Sequence, residues 1–182
     1  MRHAICVFCG SRSGSNPAFA REAEALGRGM AEAGARLVYG AGDVGLMGVT
    51  ARAAQTAGGE TLGVIPQHLE AREVGKRDLT TFIVTETMHE RKKVMFMNCD
   101  AVVVLPGGAG SLDEVFEVLT WRQLGLHAKP IVLVNVAGYW DPLIAMIDHV
   151  IAHGFADATI KEFITVAEDA SAALEVVQRL LS

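Results

Sequence analysis

The sequence predicts an α/β domain: a mostly parallel, doubly wound sheet with helices on both faces. Three observations carry that expectation. Strand-sized apolar runs alternate with helix-period segments along almost the whole chain, the pattern of successive β-α-β units. Runs such as Ala101-Val102-Val103-Val104-Leu105 are apolar at every position, as strands covered on both faces must be. A glycine loop, Pro106-Gly107-Gly108-Ala109-Gly110, joins that run to the next helix-period segment, where a parallel strand must turn into its crossover helix.

The first strand is expected over residues 3–8, where Ala4-Ile5-Cys6-Val7-Phe8 is unbroken and apolar. A helix over 17–33 follows, with Pro17 pre-set for its first turn and Gly34 just past its end. Residues 36–39 form the second strand, a glycine turn spans 40–45, and a helix returns over 46–57. Strands are expected at 61–64 and 82–85, and Thr87 paired with Glu90 opens a helix over 88–98 as a capping box. The strand at 101–105 leads into a helix over 112–124, the strand at 131–134 into a helix over 140–153, and the strand at 164–166 into a helix over 172–181. This order is Rossmann-like, and 182 residues with 51% hydrophobic content suit one domain spanning 1–182. In such a sheet the loops at 10–16, 40–45, 85–88 and 106–111 gather at one edge, where ligands bind, while Asp100 falls at the opposite edge.

A formal net charge of −5 argues against a nucleic-acid partner, which requires a basic stripe. The longest apolar runs are strand-sized and the chain enters its first strand without a signal-type segment, so a soluble, cytoplasmic protein without membrane attachment is expected. Cys6, Cys9 and Cys99 are an odd set that fits reduced, buried thiols; Cys6 and Cys9 spell C-x-x-C, but inside a strand rather than at a helix start. Of the histidines at 3, 68, 89, 127, 149 and 153, only His149 and His153 have helical i, i+4 spacing, and no carboxylate pattern accompanies them, so no metal site is expected.

The loop at 106–110 continues into Ser111-Leu112-Asp113-Glu114. Glycines let backbone N–H groups approach an anion, and the helix beginning near Ser111 turns its positive end toward the same place, so a phosphate cradle is expected. Ser111 and Glu114 also spell a capping box, and spacing alone leaves Glu114 open between helix cap and active-site carboxylate. Leu112, Val115, Phe116 and Leu119 form the expected buried stripe, leaving Asp113, Glu114 and Glu117 to the cleft or to water. Arg91, Lys92 and Lys93 crowd the first turns of their helix, the wrong sign for a helix N-terminus unless an anion is near. Gly40-Ala41-Gly42-Asp43-Val44-Gly45 matches G-x-G-x-x-G, yet it follows the second strand, and Ile65-Pro66-Gln67-His68 stands where a ribose-binding acid belongs. It reads as an anion-tolerant tight turn rather than a dinucleotide site, and no G-K-[ST] follows either glycine loop.

Met88-His89-Glu90-Arg91-Lys92 followed by P-G-G-A-G-S-L-D-E at 106–114 resembles the LONELY GUY (LOG) family of cytokinin riboside 5′-monophosphate phosphoribohydrolases. The likeness extends through Cys6-Val7-Phe8-Cys9-Gly10-Ser11, the Y-G-A-G-D-V-G-L-M-G stretch at 39–48, Gly63-Val64-Ile65-Pro66, Thr120-Trp121-Arg122-Gln123-Leu124-Gly125 and residues 135–143. The resemblance implies cleavage of the N-glycosidic bond of a nucleoside 5′-monophosphate without metal or organic cofactor, by a homodimer. It puts the catalytic pair on Arg91 and Glu114, and substrate contacts on Glu73, Lys92, Gly107, Gly108, Ala109, Gly110, Ser111 and Thr120. Two positions depart from the family pattern, Ser111 for threonine and Ala41 for glycine. Serine keeps the hydroxyl, whereas alanine at 41 is expected to keep its backbone out of the positive-φ region. Lysine decarboxylase names also attach to such chains, but no pyridoxal site is visible. The competing readings are a non-catalytic nucleotide or phosphorylated-cofactor carrier on the same fold, and an oxidoreductase using the Gly40 turn.

Overall fold

Alternate residues of the first strand, β1 (Ala4–Phe8), face two separate apolar cores: Ile5 and Val7 one, Ala4, Cys6 and Phe8 the other. That is the period of two expected of a strand covered on both sides. A computed structural model describes residues 3–70 and 75–182. After β1 come α1 (Pro17–Glu32), β2 (Arg36–Tyr39), α2 (Gly45–Thr56), β3 (Thr61–Pro66), the single turn α3 (Gln67–Glu70), β4 (Thr81–Thr85) and α4 (Met88–Met97). The second half runs β5 (Ala101–Val104), α5 (Ala109–Gln123), β6 (Ile131–Val134), α6 (Asp141–Ala152), β7 (Ile164–Ala167) and α7 (Ala170–Leu181). No helix among the described residues is long and apolar enough to cross a membrane.

All the strand pairings of the 7-stranded sheet are parallel, in the order β4-β3-β2-β1-β5-β6-β7. The winding therefore reverses between β1 and β5. Helices α1, α2 and α7 supply Leu26, Leu46 and Val177 to one core, and α4, α5 and α6 supply Met95, Leu119 and Ile147 to the other. The chain leaves β1 toward the first layer and β5 toward the second, which opens a crevice at their carboxyl ends. At the opposite edge Asp100 accepts a hydrogen bond from the Ala4 amide at 2.8 Å, a structural role far from that crevice.

Four local expectations are corrected. Helix α5 begins at Ala109 with Gly108 as its uncapped N-cap, so Ser111 lies inside the first turn and the Ser111/Glu114 capping box does not form. Phe116 is 42% exposed, and Val118 takes its place in the core. Ala41 adopts φ +57 despite its Cβ, fully buried against β3. The turn at 40–45 is not open to an anion, because the first amides of α2, Leu46 and Met47, both donate to the Gly10 carbonyl at 3.0 and 3.4 Å. The other capping box does form: the Glu90 amide donates to the Thr87 hydroxyl while the Glu90 carboxylate accepts from the Thr87 amide.

Candidate functional site

The crevice holds a cavity of about 450 Å³ lined by the loop after β1, the loop after β5, Gly40, the inner face of α4, and Glu114 of α5. Its part suited by geometry to an anion is the start of α5. Gly108, Ala109 and Gly110 are exposed to the cavity, and the first hydrogen bond of the helix is Leu112 N–H to Gly108 C=O. The amides ahead of Leu112 have no acceptor within the helix and point along its positive end. The glycines differ in purpose. A Cβ on Gly107 would lie 2.0 Å from the Ser111 hydroxyl, whereas one on Gly108 or Gly110 would meet nothing within 4 Å. Bare backbone at 107 is a packing need, and at 108 and 110 it leaves space where a ligand would sit.

Arg91 approaches from α4. Its side chain is 5% exposed, Nε donates to the Val64 carbonyl at 3.1 Å and Nη2 to the Gly40 carbonyl at 2.7 Å. These are carbonyls at the carboxyl ends of β3 and β2, so the sheet itself holds the guanidinium. A Cβ on Gly40 would fall 1.9 Å from Nη2, which explains glycine there. Glu114 is half-buried on α5 and lines the same cavity. The cation in α4 and the acid in α5, separated in sequence, thus share one cleft with the glycine loop, as the sequence motifs predict.

The other expected contacts separate. Gly107, Gly108, Ala109, Gly110 and Ser111 all line the cavity. Lys92 instead turns away and is held by Asp113 at 2.9 Å and Glu117 at 3.1 Å, tying α4 to α5. Burial works against its charge, but the two carboxylates outweigh that and raise its pKa above the ordinary lysine value. Thr120 sits exposed further along α5, its hydroxyl donating to the Phe116 carbonyl at 2.7 Å. Glu73 lies outside the described residues. Sequence reasoning missed Cys9, Phe19 and Tyr139, which complete the walls. Burial, and then the negative field of Glu114, push the Cys9 thiol far above its ordinary pKa against the opposing pull of Arg91, so it is an apolar wall rather than a nucleophile. Tyr139 follows β6, whose loop a parallel sheet also delivers to this edge.

The family described as Possible lysine decarboxylase matches residues 47–177. The cytokinin riboside 5′-monophosphate phosphoribohydrolase LOG2 of Arabidopsis thaliana is 41% identical over 174 residues, covering 96% of this chain and 82% of the relative. LOG7 of the same plant is 42% identical over 176 residues, covering 97% and 80%. LOG of Oryza sativa subsp. japonica is 44% identical over 151 residues, covering 83% of this chain and 62% of the relative. Among solved structures, the Chlamydomonas reinhardtii molybdenum cofactor carrier protein superposes with a TM-score of 0.76 at 23% identity, covering 100% and 99%. The molybdenum cofactor binding protein of Rippkaea orientalis gives 0.74 at 20%, covering 100% and 99%. At those identities the structural likeness is one of fold.

Proposed function

The chain belongs to the LONELY GUY (LOG) family, and from that premise we propose that it hydrolyses the N-glycosidic bond of adenosine 5′-monophosphate-type nucleotides, including N6-modified ones. Water adds to the anomeric carbon, the bond to the base breaks, and free base and ribose 5-phosphate leave. The observation that carries the reading is the shared cavity: a helix-start amide cluster, a buried guanidinium and a half-buried carboxylate converge at the reversal point of the sheet.

The start of α5 seats the 5′-phosphate, and that remote binding energy orients the ribose. Glycosidic cleavage develops positive charge on the sugar ring, and the Glu114 carboxylate supplies the opposing charge and orients the attacking water. Arg91, fixed on the Gly40 and Val64 carbonyls, brings positive charge to the cavity that Glu114 also lines. A pyridoxal reaction has little support, since no described lysine lines the cavity to form the internal Schiff base. The carrier reading rests on fold alone, against relatives more than 40% identical that are named as hydrolases.

Incubation with AMP and with an N6-alkyl AMP should release the free base, measured chromatographically. Glu114→Gln should lower kcat by about 10²–10⁴-fold. Absence of base release from every monophosphate tried would overturn the reading. We also infer a homodimer, supported by exposed apolar side chains on and beside α4 and α5, namely Met97, Phe116, Leu124 and Leu126. Light scattering on the purified chain tests that state.

A further inference from the structure

Tyr139 is about one-third exposed at the cleft wall, and its phenol donates to the Gly107 carbonyl at 2.5 Å. The reach of that bond is more than one contact. Gly107 and Gly108 flank the same peptide unit, and neither carries a Cβ to resist its rotation. Carbonyl and amide of a trans peptide point in opposite directions. A flip there would replace an N–H donor by a C=O acceptor in the wall that faces a bound anion. The preceding carbonyl is held in the same way, since the Gly10 amide donates to Pro106 at 3.0 Å.

The turn that carries Tyr139 is over-determined. Ala137 sits at φ +52 and Gly138 at φ +72, and a left-handed alanine persists only where its surroundings dictate it. They do: the Asn135 side chain accepts from the Trp140 amide at 2.7 Å and donates to Asp141 at 2.7 Å. The Gly138 and Tyr139 amides return to Asn135 and Val136 carbonyls at 3.2 and 3.1 Å. The ring itself is wedged edge-on between Phe19 at 5.4 Å and Trp140 at 4.8 Å. Strained backbone, hydrogen-bonded turn and edge-on ring contacts all fix one atom, the phenolic oxygen, beside a peptide unit that has glycine on either side.

We propose that Tyr139 is the positioning residue of the anion loop: its phenol holds the Gly107 carbonyl away from the phosphate so that the loop presents amide donors. This rests on the reading that a phosphomonoester sits at the start of α5. Tyr139→Phe keeps both ring contacts and removes only the donor. Calorimetry on the variant should show ribose 5-phosphate and inorganic phosphate binding weakened by about five- to tenfold, the scale of one hydrogen bond, with adenine affinity unmoved. In AMP turnover the KM should rise while kcat stays within about twofold, since the carboxylate is untouched. Unchanged phosphate affinity, or an equal loss for adenine, would overturn the assignment, the latter showing general loosening. If the parent protein binds ribose 5-phosphate but releases no base from AMP, the reaction assignment falls and Tyr139 keeps its role. If it binds neither phosphate compound, both fall.

Discussion

Gly40 shows how one missing methyl group governs the cleft. Its carbonyl receives the Arg91 guanidinium, and a Cβ would occupy the space of Nη2 at 1.9 Å. Gly40→Ala should therefore displace the cation by about an ångström and lower kcat/KM for AMP about 100-fold, the usual consequence of such a misplacement, read in a base-release assay. The neighbouring Ala41 carries a different burden. Its left-handed backbone costs about 1–2 kcal/mol, and its side chain fills the space beside Gly63, where an added Cβ would come 2.7 Å from the Ala41 Cβ and 2.3 Å from Leu79 Cδ1. Gly63→Ala should destabilise by about 1–3 kcal/mol in urea denaturation, and Ala41→Gly in the same chain should restore part of it. Additive losses in the double variant would refute the coupling. Sequence reasoning expected alanine to avoid this conformation because it weighed the residue alone; the bridge between Gly42 and Gly75 and the Lys76 amide on the Ala41 carbonyl at 2.9 Å impose it.

Elements were legible where a local pattern and the tertiary environment agree. Strand β2 and β6 match the expected bounds because their apolar runs are bounded by residues that cannot extend them, and the Thr87 capping box sets α4 as its spacing predicts. At α5 they disagree. The Ser111/Glu114 spacing is a valid local start signal, but the helix begins at Ala109, which puts Ser111 inside the first turn, where it packs too close to Gly107 to admit a Cβ there, and Glu114 on the cavity wall. Arg91 and Lys92 are adjacent cations, and charge logic ranks Arg91 ahead of Lys92 without placing either side chain. Their separation, one toward the sheet and one toward Asp113 and Glu117, follows from the turn of the helix against neighbours the sequence does not name. The loop leaving α5 offers a titration test. His127 Nε2 lies 2.8 Å from the Val118 carbonyl and Nδ1 3.1 Å from the Lys129 amide, which assigns the neutral ring with its proton on Nε2. Burial lowers its pKa below the ordinary 6.5, Arg122 and Lys129 adding to it while the Val118 carbonyl opposes. The unfolded chain thus binds the proton more readily, so this contribution is complete above the unfolded pKa and is lost as pH falls through the folded one. The urea midpoint of the parent should drop more between pH 7 and pH 5 than that of His127→Gln; equal drops would contradict it.

At the scale of the whole molecule, the site exists because the winding reverses between β1 and β5, and no single element contains it. A ligand that joins the loops of both halves should stabilise the fold as a unit. Ribose 5-phosphate at about 100 times its Kd should add about 2.7 kcal/mol, raising the melting temperature by roughly 5–10 °C for a chain of this size. No shift in differential scanning fluorimetry up to saturating product would count against a site spanning the crevice. The crevice is also unequal on its two sides. Gly10 stoppers α2 with its own carbonyl, whereas α5 arrives with a bare start. Of these two helix starts, only that of α5 leaves its first amides turned to the crevice, so an anion entering there would meet its backbone donors on one side alone.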